Sequence, residues 1–233
     1  MKVFAVANQK GGVGKTTTTI SLASLACARG GRQLLVDLDP HGSLTSYLGH
    51  DPETSEGGVY ALFEAARAGT EASAIQRVVP TGIDRLDLLP ASTALATLER
   101  RLGSLSGMGR VVEGAVESLA EEYEDVWIDC PPMLGILMIN ALCVCDRLLI
   151  PVQTEYLALK GLERMMASLK LVENSRGTRV PYTIVPTLFD RRTRASVDSL
   201  SALERRHGDQ LAPEPIPIDT QFRMASEQGL PLP

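Results

Sequence analysis

Ten residues after the first apolar run restrict the fold of this chain more than any other segment. They read Asn-Gln-Lys-Gly-Gly-Val-Gly-Lys-Thr-Thr at 8–17, between an apolar run at 3–7 and a helical pattern at 15–29. Glycines let a backbone wrap closely around phosphate oxygens, and the first turn of the following helix has free N–H groups that bind anions. The segment therefore predicts a strand–loop–helix unit that binds a nucleotide phosphate.

The residue types in this loop indicate roles. Lys15 would reach the β- and γ-phosphates, and the hydroxyl of Thr16 would be a ligand of Mg²⁺. The usual phosphate-loop pattern has glycine where Gln9 stands, and a second lysine, Lys10, follows here. The alternative is a glycine-rich turn with incidental lysines. The predicted nucleotide contacts are Lys10, Gly11, Gly12, Val13, Gly14, Lys15, Thr16 and Thr17.

Strand and helix patterns alternate along the rest of the chain. Further strands are predicted at 33–37, 86–89, 126–129, 147–152 and 182–186, and helices at 93–102, 110–123 and 159–174. Continuous apolar strands joined by helices are typical of an α/β fold, a mostly parallel twisted sheet with helices on both faces. Such a sheet binds ligands at the carboxyl ends of its strands. We expect one domain over 1–233, with 49–81 as a loose surface excursion.

Composition excludes several classes of protein. The 233 residues are 44% hydrophobic and 22% charged, which is ordinary for a globular chain, and the net charge of −5 excludes a globally basic nucleic-acid binder. The apolar run from Met133 is too short to span a bilayer. The cysteines lie in apolar runs without metal-site spacing, which predicts buried free thiols in a reducing cytoplasm. They are Cys27, Cys130, Cys143 and Cys145.

Three aspartates follow predicted strands. Asp37 and Asp39 end the strand at 33–37, and Asp129 ends the strand at 126–129. A carboxylate there can hold Mg²⁺ directly or through water, and a second one can orient or activate the attacking water. Alternatively, each caps the helix that follows. We interpret Asp37 as such a cap, and we predict a metal site formed by Thr16, Asp39 and Asp129.

At these residues the chain resembles the ParA/MinD family of deviant Walker A ATPases. The resemblance rests on KGGVGKTT at 10–17, VDLDP at 36–40 and IDCPP at 128–132, and it extends nearly end to end. The segments at 86–92, 151–162, 186–193 and 222–231 look like ParA rather than MinD. The resemblance implies a P-loop NTPase fold, ATP and Mg²⁺ as cofactors, and an active homodimer that sandwiches ATP between its subunits.

The family pattern also implies residue roles. Lys10 resembles the signature lysine that crosses to the partner's nucleotide, and Asp39 matches the aspartate needed for hydrolysis. With Lys15 these are the expected catalytic residues, while Asp129 matches the Walker B residue. Gly11 matches the glycine that stays small so that two loops can approach.

Glu155 and Tyr156 fall where the family builds part of its dimer interface, although an ordinary structural role explains them equally well. ParA-like proteins also bind nonspecific DNA as ATP dimers. The DNA candidates are Arg191, Arg192, Arg194 and Arg223. The alternative for these arginines is a solvated loop cluster paired with Asp190 and Asp198.

The segment around His41 favours one branch of the ParA/MinD family. ParA proteins usually read DPQGN after the second aspartate, whereas this chain has DPHGS at 39–43 followed by LTSYLG, which looks like the branch that positions chemotaxis arrays. A local hydrogen-bonding variant explains His41 equally well. The leading hypothesis is a cytoplasmic, nucleoid-associated or polar ATPase that positions arrays, plasmids, chromosomes or carboxysomes, with hydrolysis stimulated by a cargo adaptor.

Two other classes stay open. A MinD-like membrane switch needs a C-terminal amphipathic helix, and the prolines at 231 and 233 oppose one there. A metabolic P-loop enzyme would be a ligase, a kinase or an iron–sulfur reductase, but no iron–sulfur cluster is expected because Cys143 and Cys145 look like core positions. We further expect no N-terminal helix-turn-helix and a missing final ParA helix.

Overall fold

A computed structural model describes residues 1–54, 57–102 and 107–231, with strands and helices in alternation. The strands are β1 (Lys2–Val6), β2 (Gln33–Asp37), β3 (Val79–Pro80), β4 (Leu86–Leu89), β5 (Asp125–Asp129), β6 (Arg147–Gln153) and β7 (Tyr182–Thr187). The α-helices are α1 (Lys15–Cys27), α2 (Ser43–Tyr47), α3 (Gly58–Ala68), α4 (Leu95–Leu102), α5 (Val111–Glu117), α6 (Ile136–Val144), α7 (Tyr156–Arg176), α8 (Arg194–His207) and α9 (Gln221–Gln228).

The strands form one sheet in the order β3-β4-β2-β5-β1-β6-β7. All neighbours are parallel except β3, which is antiparallel to β4. Since the carboxyl ends of parallel strands lie at one edge, the loops after β2, β5, β1 and β6 meet there. In the register of β2 and β5, Asp37 lies opposite Asp129.

Helices cover both faces of this sheet because its strands are apolar on both sides. In β2, every residue is buried, and successive side chains point to opposite faces. Leu34 and Val36 pack in the core beneath α3 to α8, whereas Leu35 packs beneath α1 and α2. The predicted α/β class with helices on both faces is confirmed.

The interpretation of 49–81 as a surface excursion is wrong. It contains the helix α3, in which Val59, Leu62 and Phe63 recur at helical spacing and are buried in the core. The good helix formers Ala, Glu and Arg fill most of the remaining positions, and Gly69 ends the helix with φ +67°. The flanking glycines, which mark the helix ends, gave the sequence its loop-like pattern.

The ends of other helices also differ from the prediction. The helix predicted at 110–123 is the shorter α5, followed by turns to residue 122, while the helix predicted at 159–174 extends over the whole of α7. Besides α3, three further helices were not predicted: α2, α8 and α9. Thr193 accepts a hydrogen bond from the amide of Ser196 and so begins α8 among charged residues that resemble a loop.

A C-terminal segment covers the outer edge of β7. The amides of Ala212 and Ile216 donate to the carbonyls of Ile184 and Pro186, both at 2.8 Å. The amide of Ile218 donates to the carbonyl of Phe189 at 3.1 Å. This pairing places the chain before α9 beside the loop that follows β7.

The thiols are mostly buried, as predicted. Cys27, Cys130 and Cys145 are buried and unpaired, but Cys143 is half-buried because it lies on the outer side of α6. Across residues 1–54, 57–102 and 107–231, no helix combines the length and the apolar character needed to cross a membrane.

Candidate nucleotide-binding site

The glycine-rich loop leads directly from β1 into α1. Gly12 and Gly14 have φ of +73° and +86°, a left-handed conformation that favours glycine, and α1 begins at Lys15 immediately after. The amide of Thr18 donates to the carbonyl of Gly14 at 2.9 Å and closes the first helical turn. The loop amides before that turn have the arrangement of an anion-binding helix N-terminus, as the sequence predicts.

The lysine of this loop is held inside it. The side chain of Lys15 is largely buried, and its Nζ donates to the carbonyl of Lys10 at 3.4 Å. Thr187, at the end of β7, donates its hydroxyl to the carbonyl of Val13 at 2.8 Å. The loop is therefore braced from within and from a strand two positions away in the sheet.

Thr16 and Asp129 meet as a pair. The hydroxyl of Thr16 donates to Oδ2 of Asp129 at 2.6 Å, while the buried Oδ1 of Asp129 has no hydrogen-bond partner among the residues that the structure describes. Burial, reinforced by the charge of Asp37, raises the pKa of Asp129 well above its usual value. A buried carboxylate oxygen without a donor, next to a hydroxyl, fits Mg²⁺ and its bound water, which are hard oxygen-preferring partners.

Asp37 caps a helix, as interpreted from the sequence. It is fully buried, and Oδ2 accepts hydrogen bonds from the amide and the hydroxyl of Thr45 in α2, at 2.9 and 2.7 Å. Burial raises the pKa of Asp37 to about 7, although these hydrogen bonds oppose that effect.

Asp39 lies two residues beyond β2, at the same edge as Asp129. The carboxylate of Asp39 is mostly buried, and its Oδ1 accepts hydrogen bonds from the amide and the ring of His41. Among the described residues no hydrogen bond reaches its Oδ2. Asp39 therefore lies at the edge of the sheet that carries the glycine-rich loop, with Oδ1 engaged by His41.

Lys10 is paired within its own chain. Its Nζ contacts Oε1 of Glu155, the residue that precedes α7. Tyr156 and Leu157, which follow, are exposed, and so is Met133 after β5. Apart from the two adjacent residues, no atom of the described residues lies within 4 Å of a methyl group added to Gly11, and the φ of Gly11 is not left-handed. Any requirement for glycine at this position must therefore come from outside the subunit.

The arginine candidates for DNA binding are partly neutralised. Arg192 pairs with Asp190 through two hydrogen bonds of 2.9 Å, and Arg194 lies 3.6 Å from Asp198. Arg191 is exposed, and no ion pair to it is found in the described parts of the chain. Arg223 lies on α9, but its side chain is outside the described residues. These ion pairs are the ones that the solvated-cluster alternative predicts.

Sequence reasoning missed two supports of the site. One is Thr187, described above. The other is Asn8, whose Nδ2 donates to the carbonyl of Pro151 at 2.7 Å, while its buried Oδ1 has no hydrogen-bond partner in the described parts of the chain. A polar residue immediately after an apolar strand was the available signal for Asn8. Nothing local marks Thr187, because its partner Val13 is 174 residues away.

Comparisons with known proteins agree with this geometry. A family model described as an AAA domain matches residues 1–180. The chain is 34% identical over 232 residues to the sporulation initiation inhibitor protein Soj of Bacillus subtilis, covering 99% of this chain and 90% of Soj. It is 33% identical over 235 residues to the chromosome partitioning protein ParA of Caulobacter vibrioides, covering 100% of this chain and 86% of that ParA.

Solved structures extend the comparison. Apo McdA from Cyanothece superposes with a TM-score of 0.87 over 99% of this chain and 91% of McdA, and its 23% identity supports the fold alone. A Mycobacterium smegmatis structure, described as cobyrinic acid a,c-diamide synthase with a bound ATP analogue and magnesium, gives a TM-score of 0.83 at 34% identity, over 97% of this chain and 93% of its own. The sequence matches, the sheet order and the glycine-rich loop lead to one conclusion: this chain belongs to the ParA/MinD family of P-loop ATPases.

Proposed function

We propose that this protein is a Mg²⁺-dependent ATPase that dimerises around ATP, binds nonspecific DNA and positions a cellular cargo. The observation that carries the proposal is the contact between Thr16 and Asp129 beside the buried Lys15. These three side chains bring a hydroxyl, an unpartnered carboxylate oxygen and an ammonium group to one end of the glycine-rich loop. That combination suits a triphosphate with its metal ion.

Each side chain has a defined task in this site. The loop amides and Lys15 bind the phosphates, and Thr16 with Asp129 would hold Mg²⁺, which neutralises phosphate charge when bound. Asp39 orients or activates the attacking water through its free Oδ2. Lys10 completes the site of the partner subunit, so hydrolysis by the isolated subunit is slow.

The dimer forms through the edge of the sheet that carries the loop. Gly11 is exposed and has open space around it, and the exposed side chains of Tyr156, Leu157 and Met133 follow strands that end at the same edge of the sheet. ATP supplies contacts to both subunits, which hydrolysis then removes. A second copy of the chain is the partner that this arrangement suits.

DNA binding rests on family membership together with Arg191, Arg192, Arg194 and Arg223. Arginine contacts to phosphate carry no sequence information and weaken steeply with salt. Two copies of a weak patch in one dimer bind more tightly through avidity. The curated relatives are named for chromosome partitioning and sporulation, whereas His41 favours chemotaxis arrays as the cargo, delivered by an adaptor that stimulates hydrolysis.

The first experiment measures phosphate release from ATP by the wild type and by Lys15→Ala and Asp39→Ala. Both substitutions should abolish turnover, and wild-type rates in either would contradict the assigned site.

Gly11→Val should abolish ATP-dependent dimerisation in sedimentation velocity without lowering the melting temperature. Gly208→Val is the matched control, because Gly208 is also exposed with open space around it.

The second experiment measures the anisotropy of a random DNA duplex. Binding with a non-hydrolysable ATP analogue, but not with ADP, should be salt-sensitive and should weaken in Arg191→Ala. Absence of binding in both nucleotide states would remove DNA from the proposal. Co-sedimentation with anionic liposomes would then support the MinD-like alternative.

A second candidate function follows from the relative described as a cobyrinic acid a,c-diamide synthase. Release of ammonia from glutamine uses a nucleophile such as a thiolate. Burial raises the pKa of Cys130, the residue after Asp129, well above its usual value, so this thiol is held in its protonated form. This observation favours the positioning ATPase, and glutamine-dependent amidation of cobyrinic acid by this protein would overturn that preference.

A further inference from the structure

We propose that His41 is a positioning residue that fixes the carboxylate of Asp39 for ATP hydrolysis. The inference rests on the proposed ATPase function and adds a residue to its site. It starts from the tight turn Asp39-Pro40-His41-Gly42, which joins β2 to α2. The amide of Gly42 donates to the carbonyl of Asp39 at 2.8 Å, so the turn is closed by its own backbone.

The turn is held rigidly on its other side. Gly42 has φ +60°, and a methyl group added there would lie 2.4 Å from Cβ of Pro52. A side chain at this position would therefore be both strained and obstructed. Asp39 itself donates its amide to Oδ1 of Asp37 at 3.1 Å, and Asp37 is anchored to α2. The backbone on both sides of the Asp39 side chain is consequently fixed.

His41 then fixes the side chain. Oδ1 of Asp39 accepts the amide of His41 at 3.0 Å and its ring Nδ1 at 2.8 Å. A carboxylate can only accept, so Nδ1 carries the proton in this contact. The His41 side chain is 77% exposed, so packing does not account for its orientation. The hydrogen bond to Asp39 is what holds the ring.

The two hydrogen bonds to Oδ1 of Asp39 also determine the role of its other carboxylate oxygen, Oδ2. They set the plane of the carboxylate and engage Oδ1, and within the described residues no donor reaches Oδ2. Oδ2 is therefore the oxygen that faces a water molecule in hydrolysis. Loss of the ring donor leaves the hydrogen bond from the His41 amide in place but lets the carboxylate of Asp39 rotate. Rotation reduces the fraction of molecules in which Asp39 is aligned for reaction.

The test uses the full chain and compares His41→Ala, His41→Phe and His41→Asn. Phenylalanine keeps a planar ring without a donor, whereas the Nδ2 of asparagine stands where Nδ1 of histidine stands. We expect Ala and Phe to lower kcat about tenfold with KM for ATP unchanged, and Asn to restore most of kcat. The matched control is His50→Ala, because the ring of His50 contacts the carbonyl of Pro80 instead.

Wild-type kcat in His41→Ala, a rise in KM without a fall in kcat, or an Asn variant as slow as Ala would each overturn the inference. If Asp39→Ala abolishes hydrolysis while His41→Ala does not, the ATPase stands and only the role of His41 fails. If the wild type does not hydrolyse ATP, both fail. Ring ¹⁵N–¹H correlation spectra of the nucleotide-free protein at alkaline pH give an independent readout. The proton of His41 should be on Nδ1, and a proton on Nε2 would contradict the geometry.

Discussion

The ion pair between Lys10 and Glu155 predicts that Glu155→Gln tightens the ATP-dependent dimer. In the single subunit, the ammonium group of Lys10 is occupied by a carboxylate of its own chain. The proposed dimer requires the same group at the partner's nucleotide. The intramolecular pair must therefore break before the dimer closes, and its free energy opposes dimerisation.

The magnitude follows from exposure. The side chains of Lys10 and Glu155 are 27% and 40% exposed, so solvent screens the pair, and such pairs contribute about 0.5–1 kcal/mol. A dimer breaks two of them, which gives about 1–2 kcal/mol and a dissociation constant lower by about 5- to 30-fold in Glu155→Gln. Glutamine keeps the size and polarity of the side chain but removes its charge.

The assay is sedimentation velocity with a non-hydrolysable ATP analogue over a range of protein concentrations. Glu163→Gln is the control, because Glu163 lies in the helix α7 that follows Glu155 and pairs with Lys160 at 3.1 Å on an exposed surface. A tighter dimer in Glu155→Gln alone supports the reasoning. A weaker dimer would refute it and would place the Glu155 carboxylate in contacts across the interface.

Three further predictions concern the surface, the core and the phosphate loop. Asp190→Asn should strengthen nonspecific DNA binding in anisotropy titrations, because it releases Arg192 from its ion pair. Arg192 holds the pKa of Asp190 at about 2, so the gain in affinity should be the same throughout the neutral pH range. An unchanged affinity would exclude Arg192 as a DNA contact. Gly58→Ala should lower the free energy of unfolding in urea titrations by about 2 kcal/mol or more. The reason is that Gly58 has φ +58° and a new Cβ would lie 2.2 Å from the carbonyl oxygen of Pro90. An unchanged urea midpoint would contradict that packing. Thr187→Val should weaken the binding of an ATP analogue, measured by calorimetry, by about tenfold. It removes the hydrogen bond from Thr187 to the carbonyl of Val13, which contributes about 1–2 kcal/mol to the conformation of the phosphate loop. Wild-type affinity would show that the loop does not need this support.

Local chemistry explains what the sequence predicted well. The loop around Lys15 is contiguous in sequence, so its conformation follows from its own glycines and from the helix after it. Asp129 and Asp37 were placed at one edge because parallel strands end there, and their strands are indeed neighbours in the sheet. Asp37 was interpreted as a helix cap, although α2, the helix whose Thr45 amide it accepts, was not itself predicted.

Contacts between distant segments explain what it missed. The partner of Lys10 is 145 residues away, and the hydroxyl that supports the loop is further still. The resemblance placed Lys10 and Glu155 at one interface without revealing that they pair within a subunit. The helix α3 was missed because its terminal glycines read as a loop, while only the folded core shows that Phe63 is buried. The identity of the cargo and the extent of the domain stay predictions.

The segment that covers β7 also limits how copies of this chain can associate. In an extended strand, successive amides point to opposite sides. Those of residues 212, 216 and 218 point inward to β7 and its loop, and the alternate positions 213, 215 and 217 are all proline. These three prolines have no N–H group to offer a passing strand, and the opposite border of the sheet is the two-residue β3, which also ends in proline. Both borders are closed to strand addition. Prolines at both borders thus oppose sheet-to-sheet aggregation between copies of this chain.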